Sequence, residues 1–121
     1  MSDILLASAS RTTDQVVAAS AIKGGRHSTA VAVVVDITSL EAGTPSLTVT
    51  IRGVDPASGK GIALLQSAAL STVSTTVLRV GQDLTAAVNL TANDLVPENI
   101  QVLVDHTDSQ PITYSVGMLH G

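Results

Sequence analysis

The chain has 121 residues, enough for one domain and too few for two ordinary ones. Its net charge of −4, with only 13% charged residues, argues against attraction to a nucleic-acid backbone, and the lack of cysteine excludes disulfides and thiolate metal sites. With one tyrosine and no Phe or Trp, there is almost nothing on which sugars or unpaired bases could stack.

A small free-standing domain usually has about a quarter to a third of its surface charged. Here Ser and Thr fill much of that place. Such a surface suits a protein packed against neighbours. It also suits a Thr-rich β-domain, because Thr is a good strand former.

Residues 1–12 read as an extended arm carrying the apolar patch Ile4-Leu5-Leu6. The segment has no basic region and its apolar run is short, so no signal peptide is expected and synthesis in the cytoplasm is. Residues 14–22 are ambiguous between helix and strand. The Val16-Val17 pair and the β-rich context favour a strand. Lys23-Gly24-Gly25-Arg26 is a turn.

Ala30 to Thr38 is the strongest strand. Val31, Val33, Val35 and Ile37 share one face; Ala30, Ala32 and Val34 share the other. An apolar pattern on both faces predicts burial on both sides. A turn follows over 41–45. Leu47, Val49 and Ile51 then alternate with Thr48, Thr50 and Arg52, the period-2 pattern of a half-buried strand. This strand runs into Asp55-Pro56-Ala57-Ser58-Gly59, where Pro presets φ and Gly supplies a positive φ.

A strand is predicted over 61–67, then a low-charge connector over 68–75 and a strand over 76–80 ended by Gly81-Gln82-Asp83. Residues 86–90 read as one more strand and 91–97 as a loop. Asn99 to His106 alternates cleanly. Thr107-Asp108-Ser109-Gln110-Pro111 is a hairpin turn. The last strand puts Ile112, Tyr114, Val116 and Met118 inward.

Seven to nine short strands without a convincing helix predict an all-β chain. The expected architecture is a single antiparallel β-sandwich over 13–121, jelly-roll-like or with immunoglobulin-like topology, preceded by the arm. No run approaches the ~20 apolar residues of a membrane-spanning helix.

Chemical signals are sparse. His27, His106 and His120 have no metal-site spacing and are expected at the surface. Asp105 and Asp108 flank a turn, where forming the turn is the commoner role and calcium the rarer one. An inward Asp36 would pair with Arg52 or Arg79. Gly59-Lys60-Gly61 lacks the phosphate-loop pattern, and no serine sits in a nucleophile elbow. Asn89-Leu90-Thr91 matches the glycosylation pattern only formally. No catalytic residue, cofactor or metal ligand is assigned, and an enzyme is not expected.

The Gly53-Val54-Asp55-Pro56-Ala57-Ser58-Gly59-Lys60 turn, Leu64-Leu65, Pro97 before a Val-rich strand, and Ile112-Thr113-Tyr114-Ser115-Val116-Gly117 together resemble small virion structural proteins of tailed bacteriophages, of the capsid decoration (cement) type. The resemblance runs from about residue 30 to the end and omits the arm and residues 82–96. It implies a protein of the outer capsid surface, made in the host cytoplasm, that binds the major capsid protein and self-associates as a homotrimer. No catalytic residue comes with it, and neither nucleic acid nor membrane is an expected partner. In this reading Ile4, Leu5 and Leu6 would anchor a neighbouring subunit by strand addition. A minor tail or neck protein is the alternative within the virion. A carbohydrate or cell-surface binding β-sandwich module is the alternative outside it.

Overall fold

A computed structural model describes residues 2–40 and 45–121 of the chain. The strands are β1 (Ser2–Arg11), β2 (Gln15–Ser20), β3 (Ile22–Lys23), β4 (Arg26–His27), β5 (Ala30–Leu40), β6 (Leu47–Val54), β7 (Gly61–Gln66), β8 (Ser74–Gly81), β9 (Thr91–Asn93), β10 (Asn99–His106) and β11 (Ile112–His120). The 41–45 turn falls, except for Pro45, outside the described residues.

Two sheets form the sandwich. One has five strands in the order β1-β11-β5-β8-β9; the other has four in the order β2-β10-β6-β7. The pairs are nested: β6 with β7, β5 with β8, β2 with β10, and β1 with β11. The chain is thus one long antiparallel ribbon, folded at a tip and rolled up. Pairings β5–β11 and β6–β10 close the roll. This is the jelly-roll order. One pair departs from the antiparallel pattern, since β8 and β9 run parallel.

The tip of the ribbon is the Asp55–Lys60 turn. Asp55 Oδ1 accepts from Ala57 N at 3.1 Å, Oδ2 accepts from the Ser58 hydroxyl at 2.6 Å, and Gly59 takes φ 75°. A second tight turn joins β3 to β4. Gly24 and Gly25 there take φ 59° and 77°, the positive pair that a two-residue hairpin requires.

The core lies between the sheets. Val33, Val35, Leu78, Tyr114, Val116 and Met118 come from one side, and Leu47, Val49, Ile51, Val102 and Val104 from the other, all fully buried. It is almost wholly aliphatic. Each large side chain contributes roughly 1.5–3 kcal/mol of burial, so stability is spread over many residues. Gly53 is held by a close approach: a Cβ there would stand 2.6 Å from Pro97 Cγ.

Five expectations differ from the structure. Residues 91–93, expected in a loop, form β9, because their backbone pairs with β8. Residues 86–90 do not form a strand. Asn89 takes φ 63° and Ala87 exchanges backbone hydrogen bonds with Thr91 at 3.0 and 2.9 Å, so the chain reverses and pairs only as β9. β5 is buried on one side, while Ala30, Ala32 and Val34 remain half-buried. Asp36 points outward, accepts the Thr75 hydroxyl at 3.0 Å, and meets neither arginine; Arg52 lies in the other sheet and donates to Gln101 Oε1 at 2.8 Å. His106 is buried and the His120 side chain is 3% exposed, because each sits at the inward step of its strand's alternation. Residues 2–11 of the extended N-terminal segment form the edge strand of the five-stranded sheet.

Candidate functional site

Two surfaces carry unusual chemistry. The first is a polar cluster where β1, β11 and the β3–β4 hairpin meet. Asp3 Oδ1 accepts from Lys23 Nζ at 2.5 Å, and Oδ2 accepts from His120 Nε2–H at 2.9 Å. These partners, Lys23 first, hold the Asp3 carboxyl below its ordinary value. With the ring proton on Nε2, Nδ1 of a neutral His120 accepts from the Ser28 hydroxyl at 3.2 Å.

Hydroxyl, imidazole and carboxylate in a row are the components of a nucleophile relay. Here Ser28 is 8% exposed, and the adjoining recess measures ≈ 110 Å³. Small-molecule pockets run to about 300–1,000 Å³. The Ser28 and Thr29 amides already donate to Ala21 O and Gly121 O, so neither is left to polarise a bound carbonyl. The arrangement acts as a clasp that ties the first strand to the last. His27, on the same hairpin, donates through Nε2 to Val96 O at 2.7 Å. Among the described residues no group of three metal-ligating side chains gathers.

The second surface is the outer face of the five-stranded sheet. Strand register lines up its outward residues in rows across the strands. One row is Ile4–Gly117–Val34–Val77, and the next, toward one end, is Ser2–Leu119–Ala32–Arg79. Toward the other end lies Ser115–Asp36–Thr75. Ile4 is 82% exposed and Leu119 51% exposed. The middle row has no polar side chain. The Arg79 guanidinium finds no hydrogen-bond partner among the described residues.

The predicted anchor residues divide between this face and the core. Ile4 is on the face. Leu5 and Leu6 are half-buried against the core, because β1 shifts register between Ile4 and Leu6. A second shift follows between Leu6 and Ala9, where Arg11 bridges the irregularity. Arg11 donates to Tyr114 O at 2.7 Å and to Ala7 O, and stacks 4.7 Å above the Tyr114 ring. Bulges and occupied carbonyls are how an edge strand is kept from open pairing.

Of the other sequence candidates, Asp105 is exposed, and Asp108 accepts from the Gln110 amide at 2.8 Å within its turn. His106 donates through Nε2 to Gln110 O at 2.7 Å. Sequence reasoning did not assemble the outer face. Its signal was the two-sided apolar pattern of 30–37. The clasp had no local signal, since Asp3 and His120 lie at opposite ends of the chain.

Comparison with protein-family models, with curated proteins and with solved structures finds no match to this chain.

Proposed function

We propose that the protein is a structural component of a bacteriophage virion, a decoration (cement) protein that binds the major capsid protein lattice and stabilises the head. The observation that carries the reading is the apolar outer face of the five-stranded sheet, set on a charge-poor jelly roll. A solvated sheet face alternates apolar inward with polar outward, and the middle row of this one, Ile4–Gly117–Val34–Val77, has no polar side chain. Faces of that kind belong to assemblies, whose lasting contacts resemble a core cut in half. The turn and strand segments that resemble those of small phage virion proteins supply the context. Jelly rolls recur in viral capsid domains, which is analogy of fold and weighs less. By mass action, a protein that binds only the assembled shell stabilises that shell.

The test is co-sedimentation of the purified protein with empty, undecorated capsids of the encoding phage, with bound copies counted by mass spectrometry. Saturable binding in stoichiometric ratio to the capsid lattice is expected. Absence of binding would overturn the reading in favour of a minor tail or neck component.

A further inference from the structure

We infer that the outer face of the five-stranded sheet is the contact between two copies of this chain, packed face to face about a two-fold axis along the row Ile4–Gly117–Val34–Val77. The argument rests on where the two charges of that face sit. Arg79 stands one row to one side of the apolar row, level with Ala32; Asp36 stands one row to the other side, level with Thr75. Four residues of β5 separate their levels, about 13 Å at ~3.3 Å per residue, so the two do not pair within one chain.

A two-fold axis along the middle row exchanges the flanking rows. Arg79 of one copy then lies over Thr75 of the other, one strand from Asp36. The Thr75 hydroxyl already orients Asp36, at 3.0 Å. Packed sheets stand about 10 Å apart, a gap that an arginine side chain crosses. The contact forms twice, as an isologous interface requires. Ile4, Val34, Val77 and Leu119 then fill the dry centre, with Gly117 allowing close approach. A trimer would instead need this face to meet a different surface, and the symmetric placement of Arg79 and Asp36 would serve no purpose.

Four strands about 4.8 Å apart and three rows about 6.7 Å apart give a face of roughly 20 by 20 Å. That is about 400 Å² per copy and roughly 800 Å² in all, the size of a weak, transient contact, so a dimer that forms only at high micromolar concentration is expected.

The pairing uses the same face that carries the capsid reading, so where it forms, the unit that meets the lattice is the dimer, through its other surfaces. It is tested in solution without capsids, so its failure leaves the capsid reading standing with this face free to meet the lattice. Sedimentation velocity of the full chain from about 1 to 500 µM at low salt is expected to show a monomer–dimer equilibrium. Arg79→Glu and Asp36→Arg should each weaken it about tenfold or more, and the double exchange should restore it to within about threefold of the parent. Arg52→Glu, on the other sheet, should leave it unchanged. Where a reversal disturbs folding by circular dichroism, Arg79→Gln and Asp36→Asn replace it, with smaller losses expected. A chain monomeric throughout, a trimer indifferent to these changes, or a double variant no better than the singles would overturn the inference.

Discussion

On the outer face of the four-stranded sheet, the positions that alternate with the core are Thr48, Thr50 and Arg52 on β6, with Gln101, Leu103 and Asp105 on β10 and Val16 and Ala18 beside them on β2. On the five-stranded sheet they are Ala32, Val34 and Asp36 on β5, Thr75, Val77 and Arg79 on β8, and Ser115, Gly117 and Leu119 on β11. Both sets sit mainly on strands whose inner residues are equally buried. The first set keeps its hydroxyls, amides and charges in water at little cost. The second leaves half-buried valines and an exposed leucine beside Arg79, which has no hydrogen-bond partner among the described residues. Strand-forming tendency explains the Val and Thr on either face; what sets the five-stranded face apart is its middle row, Ile4–Gly117–Val34–Val77, without a polar side chain, the row that the proposed pairing would cover.

The largest expected effect calibrates the two sides of one strand. Val35→Ala should cost about 2–3 kcal/mol, the loss of two methyl groups plus a cavity, whereas Val34→Ala should cost less than about 1 kcal/mol in the dilute monomer. Urea denaturation at low protein concentration measures both. Equal costs would mean that the outer face is already covered within the chain.

The next contrast compares the faces directly. Val34→Asp should weaken self-association about tenfold or more, because it places a charge in the dry centre; Thr50→Asp should change it less than about twofold. Sedimentation of the two variants side by side decides it. Similar losses would remove the distinction between the faces.

Two carboxyls sharpen the comparison through pH. Asp3, on the five-stranded sheet, is lowered from 3.8 first by Lys23 and then by His120. Asp55, at the tip of the other sheet's hairpin, is lowered from 3.8 first by the Ser58 hydroxyl and then by the Ala57 amide. A carboxyl whose folded pKa is depressed adds stability that is complete above its unfolded value and is lost as pH falls through the folded one. Asp3→Asn and Asp55→Asn should therefore both be less stable than the parent near pH 6, and both gaps should close below the folded values. In about 1 M salt the Asp3 gap should shrink, since Lys23 is charged; the Asp55 gap should persist. Thermal unfolding across pH and salt reads both.

The smallest effect lies under the apolar face. The Tyr114 hydroxyl is buried without a partner among the described residues, and burial raises its pKa. Tyr114→Phe removes a desolvated, unpartnered group and should leave stability unchanged or raise it by up to about 1 kcal/mol. A large loss would reveal a partner for that hydroxyl.

Much of the fold was legible. The period-2 runs at 30–38, 47–54, 99–106 and 112–118 became β5, β6, β10 and β11, and the Asp-Pro-Ala-Ser-Gly segment became the tip of the ribbon. The misread stretch was 86–90, where apolar residues lacked alternation and Asn89 hid a turn. The inward Asp36 was misplaced for a related reason: a Val-rich strand has no polar side to mark its solvent face. The clasp of Asp3, Lys23, Ser28 and His120 was invisible, because nothing local joins residue 3 to residue 120.

The sequence by itself determined which segments are strands, where the ribbon folds and which residue faces alternate, because side-chain period and turn chemistry act over a few neighbouring residues. Only the tertiary structure decided the nested pairing, the rolling of the ribbon into two sheets, and which side of β5 met the core. A strand with two apolar sides can bury either one. The choice follows from which neighbours close the roll around it, and those neighbours lie far along the chain.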